Sequence, residues 1–247
     1  MVTGAGAGRV ALITGANKGI GFETARQLGR EGVTVLVGAR DPELGRAAEV
    51  TLRSEGLAAR TILVDVTVPV TIDQAALAVE RDHGKLDILV NNAGVNLQRG
   101  LPSELDIEKV RGTFDANFFG AFAVTRRFLP LLRRAEAARI VNVSTRVGSL
   151  FHLADGQWVH RAAASKSMAY SASKAALNVL TLALANEVAG TAIRVNSVEP
   201  GYTATDFNQH RGTKRPEDSA KVIVHYATLP PDGPTGGFFD ENGAVPW

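Results

Sequence analysis

Six short runs rich in Val, Ile and Leu constrain the fold of this chain more than any other feature. They lie at Val10–Ile13, Val33–Val37, Thr61–Val64, Leu86–Val90, Ile140–Val143 and Ile193–Val198. Each has strand length and lacks apolar/polar alternation, so each reads as a strand buried on both faces. The segments between them carry helical spacing and end signals. In one of them Asp41 stands as an N-cap, Pro42 falls in the first turn and Gly56 lies just past the end. Strand and helix therefore alternate. Alternation calls for right-handed crossovers, and so for an α/β fold with a doubly wound parallel sheet of about seven strands and helices on both faces.

No Pro/Gly/Ser linker, long repeat or low-complexity block interrupts this order, so the 247 residues read as one domain, 9–247, behind a flexible tail, 1–8. Apolar residues make up 45% of the chain, enough for a large core, and charged residues 21%. The net charge is only +2 and the cations are dispersed, so neither a nucleic acid nor a membrane is an expected partner. With no cysteine there is neither a disulfide nor a thiolate metal site, which fits a reducing compartment. No apolar stretch reaches the ~18 residues of a membrane span. The first residues lack the charged start and apolar core of a signal peptide, and the expected location is the cytoplasm.

Thr14-Gly15-Ala16-Asn17-Lys18-Gly19-Ile20-Gly21 follows the first strand and leads into the helical pattern of Phe22–Arg30. Glycines at such a turn let the backbone bend tightly, admit a pyrophosphate to the amides and bring the helix start close to the strand. The helix N-terminus adds free N–H groups and partial positive charge. With Asn91-Asn92-Ala93-Gly94 after the fourth strand, the spacing Gly-x-x-x-Gly-x-Gly resembles the short-chain dehydrogenase/reductase family, which implies a Rossmann-type domain binding a nicotinamide dinucleotide through Gly15, Asn17, Lys18, Gly19, Ile20, Gly21, Asn92, Ala93 and Gly94. NAD-preferring folds place an acid at the end of the second strand to bond the ribose 2′-hydroxyl. Here that strand ends Val37-Gly38-Ala39-Arg40, and a guanidinium suits a 2′-phosphate. Arg40 and Lys18 occupy the positions that select NADP in the family, and Asp41 comes one residue too late for the NAD role. The implied cofactor is NADPH/NADP+. A solvated surface charge is the plain alternative for each cation. Asp65, with Val66 beside it, matches the family's adenine contact; the alternative for Asp65 is a helix-capping carboxylate.

Tyr170-Ser171-Ala172-Ser173-Lys174 opens a helix expected to run to Val188, with phenol and ammonium on one face at i, i+4 spacing. A free phenol is a sluggish acid at neutral pH, and a cation nearby is expected to bring its pKa down toward working range by about two units. Tyr-x-x-x-Lys alone is common and can be a surface pair; its place after the fifth strand and a complete glycine turn makes it specific. The resemblance implies Tyr170 as proton donor, Lys174 as its tuner and ribose anchor, and Thr145 of Ser144-Thr145-Arg146-Val147-Gly148 as the hydroxyl that orients the carbonyl. The family usually has Ser at that last position. The resemblance further implies Asn117 in a proton relay, and Pro200, Gly201, Thr203 and Thr205 around the carboxamide.

The stretch from Thr145 to Tyr170 is longer than the common family spacing and carries Phe151, His152, Leu153, Trp158 and His160. This insertion, at about 149–168, resembles a shorter form of the one in monomeric carbonyl reductases, as does the ending Gly237-Phe238-Phe239-Asp240 to Trp247. The resemblance tilts the expected assembly toward a monomer. His152 and His160 lack a carboxylate or third ligand at recognisable spacing, so no metal is expected. The function implied is NADPH-dependent reduction of a ketone or aldehyde to an alcohol, or the reverse. The alternative is an NADP(H)-binding regulator or redox sensor with little turnover.

Overall fold

The computed structural model describes Gly6, residues 8–154 and residues 166–247, and there the alternation read from the sequence is realised. The first half contains β1 (Val10–Thr14), α1 (Gly19–Arg30), β2 (Thr34–Ala39), α2 (Pro42–Ser54), β3 (Ala59–Leu63), α3 (Pro69–His83) and β4 (Ile88–Asn91). The second contains α4 (Ile107–Phe114), α5 (Gly120–Leu132), β5 (Arg139–Val143), α6 (Leu150–Ala154), α7 (Met168–Glu187), β6 (Arg194–Val198), α8 (Pro216–Ala227), β7 (Phe238–Asp240) and β8 (Gly243–Ala244). The sheet order is β3-β2-β1-β4-β5-β6-β7-β8. Strands β1 to β7 run parallel and the two-residue β8 returns antiparallel to β7.

Successive side chains on a strand point to opposite faces. In β1, Val10 and Leu12 pack with α3, α5 and α7, whereas Ala11 and Ile13 pack with α1, α2 and α8. Both faces are covered, so both sets of positions must be apolar. β3 corrects this expectation. It begins at Ala59, two residues before the run read from the sequence, and Arg60 and Leu63 are exposed. As the edge strand it has β2 as its only neighbour in the sheet. The N-terminal tail is also less loose than its composition implies at one point, because Gly6 is buried and its N–H donates to Glu31 O at 3.0 Å.

Asp41 caps α2 as expected, accepting from Glu43 N at 2.9 Å and Leu44 N at 3.1 Å. Near the other end of the chain, Ser149 Oγ donates to Pro246 O at 2.7 Å, Phe151 N donates to Trp247 O at 2.9 Å, and the Trp247 ring stacks on Phe238. The described start of the insertion is thus tied to the chain's last residues, while Phe122 of α5 and Val179 of α7 are exposed. Trp158 and His160 lie outside the described residues. Among the described residues no helix is long and apolar enough to cross a membrane. The sheet order reverses at β1/β4, and in such sheets a crevice opens at the carboxyl ends of the strands at that point.

Candidate active site

A cleft of about 1190 Å³ occupies that crevice, and its walls are the segments that follow β1 to β7. Its first wall is the glycine turn. Gly15 and Gly19 have φ of 64° and 59°, in the left-handed region that favours glycine. A Cβ on Gly21 would stand 2.5 Å from Asn92 Nδ2 and 2.6 Å from Gly15 O, so the helix start touches the strand end as only glycine allows. Asn92 Nδ2 donates to Thr14 O at 2.9 Å and Gly15 O at 3.1 Å, and Thr14 Oγ1 accepts from the N–H groups of Asn92 and Ala93 at 3.0 Å each. Thr14 thereby clamps the two loops together, a role the sequence reading did not assign.

Arg40 is exposed on the cleft wall and has no hydrogen bond or ion pair among the described residues. Lys18 differs from the expectation of a free cation. Its Nζ lies 2.6 Å from Asp206 Oδ2 on the loop after β6, and His210 Nε2 approaches the same carboxylate at 2.8 Å. Asp65 lines the cleft, and its Oδ1 accepts from Thr67 N at 2.9 Å and Thr67 Oγ1 at 2.7 Å, so the carboxylate pins its own turn. Val66, Pro200, Gly201 and Thr205 also line the cleft. Thr203 lines it with its hydroxyl turned inward, 3.0 Å from Gly201 O and 2.6 Å from Ser219 Oγ.

At the other end, Thr145, Tyr170 and Lys174 face the same cleft. Ser144 does not. It is 2% exposed and its Oγ donates to Asn178 Oδ1 at 2.7 Å, whereas Thr145 begins a short turn over Arg146–Gly148 with its side chain toward the opening. Asn117 sits behind the site in a π turn, Asp115–Phe119, between α4 and α5. Its Oδ1 accepts from Val95 N at 2.7 Å, and its Nδ2 donates to Val95 O and Ser173 Oγ, both at 2.9 Å. Ser173 Oγ in turn donates to Tyr170 O at 2.8 Å, so Asn117 braces the first turn of α7. Phe207, on the loop after β6, lies against the Tyr170 ring with centroids 5.2 Å apart.

Residues 9–216 match the short chain dehydrogenase family. The chain belongs to the short-chain dehydrogenase/reductase family. It is 32% identical to mouse (Mus musculus) carbonyl reductase [NADPH] 1, covering 96% of this chain and 98% of that protein. Its structure is similar to salutaridine reductase from Papaver somniferum, with a TM-score of 0.82, 30% identity, and coverage of 94% and 99% of the two chains. It is also similar to a short chain dehydrogenase from Shigella flexneri complexed with NADP, with a TM-score of 0.83, 27% identity, and coverage of 95% and 97%. The chain is therefore an oxidoreductase of a family that binds a nicotinamide cofactor, with reductases among its relatives. The glycine turn fits such a group, because the positive φ values and the close Gly21 approach leave the amides at the start of α1 open to a phosphate.

The electrostatics of this family member depart from the sequence expectation at Tyr170. Burial pushes its phenol well above the ordinary value, Glu199 pushes it further, and only Arg99 opposes them. Lys174 does not bring it down. Its Nζ donates to Val143 O at 2.7 Å and lies 5.9 Å from the Tyr170 ring centroid, and burial lowers its own pKa to about 8. The sequence placed the two groups on one face correctly but could not show that desolvation outweighs their attraction. Glu199 is the main site residue missed. It follows β6 directly, and burial raises its carboxyl to about 7. Among the described residues no group of three or more His, Asp and Glu is placed to hold a metal ion.

Proposed function

We propose that this chain is an NADPH-dependent carbonyl reductase that converts a ketone or aldehyde to an alcohol. The observation that carries the reading is the sharing of one cleft by Thr145, Tyr170 and Lys174 at one end and the glycine turn with Arg40 at the other. The amides at the start of α1 would hold the pyrophosphate, Arg40 the 2′-phosphate, and Lys174 the nicotinamide ribose. When bound, NADPH supplies the hydride that reduces the carbonyl carbon. Thr145 Oγ1 orients the carbonyl by donating to its oxygen. Tyr170 gives its proton to that oxygen as it gains charge. Burial keeps the phenol protonated at neutral pH, and an alkoxide is far more basic than a phenolate, so the transfer runs downhill. Asn117 keeps the first turn of α7 in register with the loop after β4, which holds Tyr170 in place. Phe207 and the loop after β6 roof the substrate side.

The test is NADPH oxidation by the purified chain across a panel of ketones and aldehydes, with NADH in parallel. Turnover with NADPH and a lower kcat/KM with NADH support the proposal. Tight NADPH binding with no turnover on any carbonyl compound would support a regulator instead.

A further inference from the structure

Directly after β6 the chain carries a carboxyl group into the floor of the cleft. Glu199 N donates to Phe239 O at 2.8 Å, and its side chain is 13% exposed. Charged and polar groups face it from three elements. From the turn after β5, Arg146 N donates to Oε2, the Arg146 guanidinium lies 3.7 Å from the same oxygen, and Thr145 Oγ1 lies 3.5 Å from Oε1. From β7, Asp240 adds negative charge and pairs with Arg146. From α7 comes Tyr170, whose phenol feels both Glu199 and Arg99.

A threonine hydroxyl has one hydrogen and two lone pairs. When Glu199 is ionised, Oε1 is the acceptor beside Thr145, and a hydrogen given to Oε1 is withheld from a substrate carbonyl. When the carboxyl is protonated the direction reverses. Oε2 already accepts the Arg146 N–H, so the proton belongs on Oε1, the oxygen facing Thr145. Thr145 Oγ1 accepts at 3.4 Å from Val147 N, which leaves its second lone pair for Oε1–H and its hydrogen for the substrate.

We propose that Glu199 is a positioning residue for carbonyl reduction: protonated on Oε1, it donates to Thr145 Oγ1 and turns the single Thr145 hydroxyl hydrogen toward the substrate oxygen. The inference rests on the reading of Thr145 as the group that orients the carbonyl. Burial first, and after it the charge of Asp240, raise this carboxyl to about 7 against the pull of Arg146 and of the Thr145 hydroxyl, so the competent form is present in mildly acidic solution and lost as pH rises through neutrality. Lys174 lines the same cleft, and burial lowers it to about 8, so it is a second group that titrates in this range.

Two measurements test it. The first is kcat as a function of pH for wild type, Glu199→Gln, Thr145→Val and the double variant. A glutamine amide donates to Thr145 at every pH and still accepts from Arg146 N. Wild-type kcat should fall about tenfold between about pH 6 and about pH 8. Glu199→Gln should flatten this ratio whatever its absolute rate, and Thr145→Val should flatten it too. An unchanged limb in Glu199→Gln would assign the titration to Lys174 and overturn the proposal. A limb that survives in Thr145→Val but disappears in Glu199→Gln and in the double variant would mean that Glu199 acts on Tyr170, and would also overturn it. The second measurement needs no turnover, so it separates this inference from the reductase reading. Infrared difference spectra across the same pH range should show a protonated carboxyl band that is absent in Glu199→Gln and displaced in Thr145→Val. A band insensitive to Thr145→Val would refute the hydrogen bond even in a chain that reduces nothing.

Discussion

The Gly21→Ala variant tests how closely α1 must approach β1. The added Cβ would lie 2.5 Å from Asn92 Nδ2, 2.6 Å from Gly15 O and 3.0 Å from Ala16 Cα. Such pairs settle near ~3.5 Å, so either the helix start retreats by about 1 Å or Asn92 swings aside. Overpacking of this kind costs about 1–3 kcal/mol. If Asn92 moves, its bonds to Thr14 O and Gly15 O are lost as well, at about 1 kcal/mol each. The expected loss of folding stability is about 1–3 kcal/mol if the helix start retreats and about 3–5 kcal/mol if Asn92 moves, read from urea unfolding followed by circular dichroism. NADPH binding by titration calorimetry should weaken by at least about tenfold, because the amides at the turn move with the helix. Gly56→Ala is the control. Its φ is 79° but nothing lies within 4 Å, so it should cost about 1 kcal/mol and leave NADPH affinity unchanged. A Gly21→Ala chain as stable as wild type, with wild-type affinity for NADPH, would refute the reading of this turn as a close-packed cradle.

Arg40→Asp should weaken NADPH binding by about 2–4 kcal/mol while leaving NADH nearly untouched, and calorimetry with both cofactors checks it. Lys18→Ala should have a smaller effect, because Asp206 already holds Lys18. Thr145→Val should lower kcat by about a hundredfold through loss of one donor to the carbonyl, whereas Ser144→Ala should act mainly on stability, because its hydroxyl is buried against Asn178. Static light scattering should give the mass of a monomer; a dimer or tetramer would mean that the exposed apolar residues of α5 and α7 find a partner surface.

The alternation of strands and helices was legible because a sheet covered on both faces requires apolar residues at every strand position, a demand each strand states locally. β3 escaped in part because an edge strand is released from that demand. The glycine turn was legible for a similar local reason, since Gly15 and Gly19 answer to φ and Gly21 packs on Gly15 and Ala16 a few residues before it, although its nearest contact, Asn92, comes from the loop after β4. What was not legible depends on partners brought from far along the chain. Lys18 meets Asp206 across 188 positions, and Arg146 meets Glu199 and Asp240 across 53 and 94. In the sequence Glu199 is one more acid after a strand. Only the closed cleft buries it, and that burial gives it a role beside Thr145. The Tyr170 and Lys174 pairing was visible as spacing, but its electrostatics follow from desolvation, which no spacing encodes.

Single-turnover reduction of a carbonyl compound by the NADPH complex, compared between wild type and Tyr170→Phe, tests the central claim most directly. The variant keeps the ring against Phe207 and removes only the proton donor, so NADPH affinity and the folded spectrum should persist while the rate falls by about 10²–10⁴-fold. A Tyr170→Phe chain that reduces the carbonyl at a rate near wild type would contradict the account.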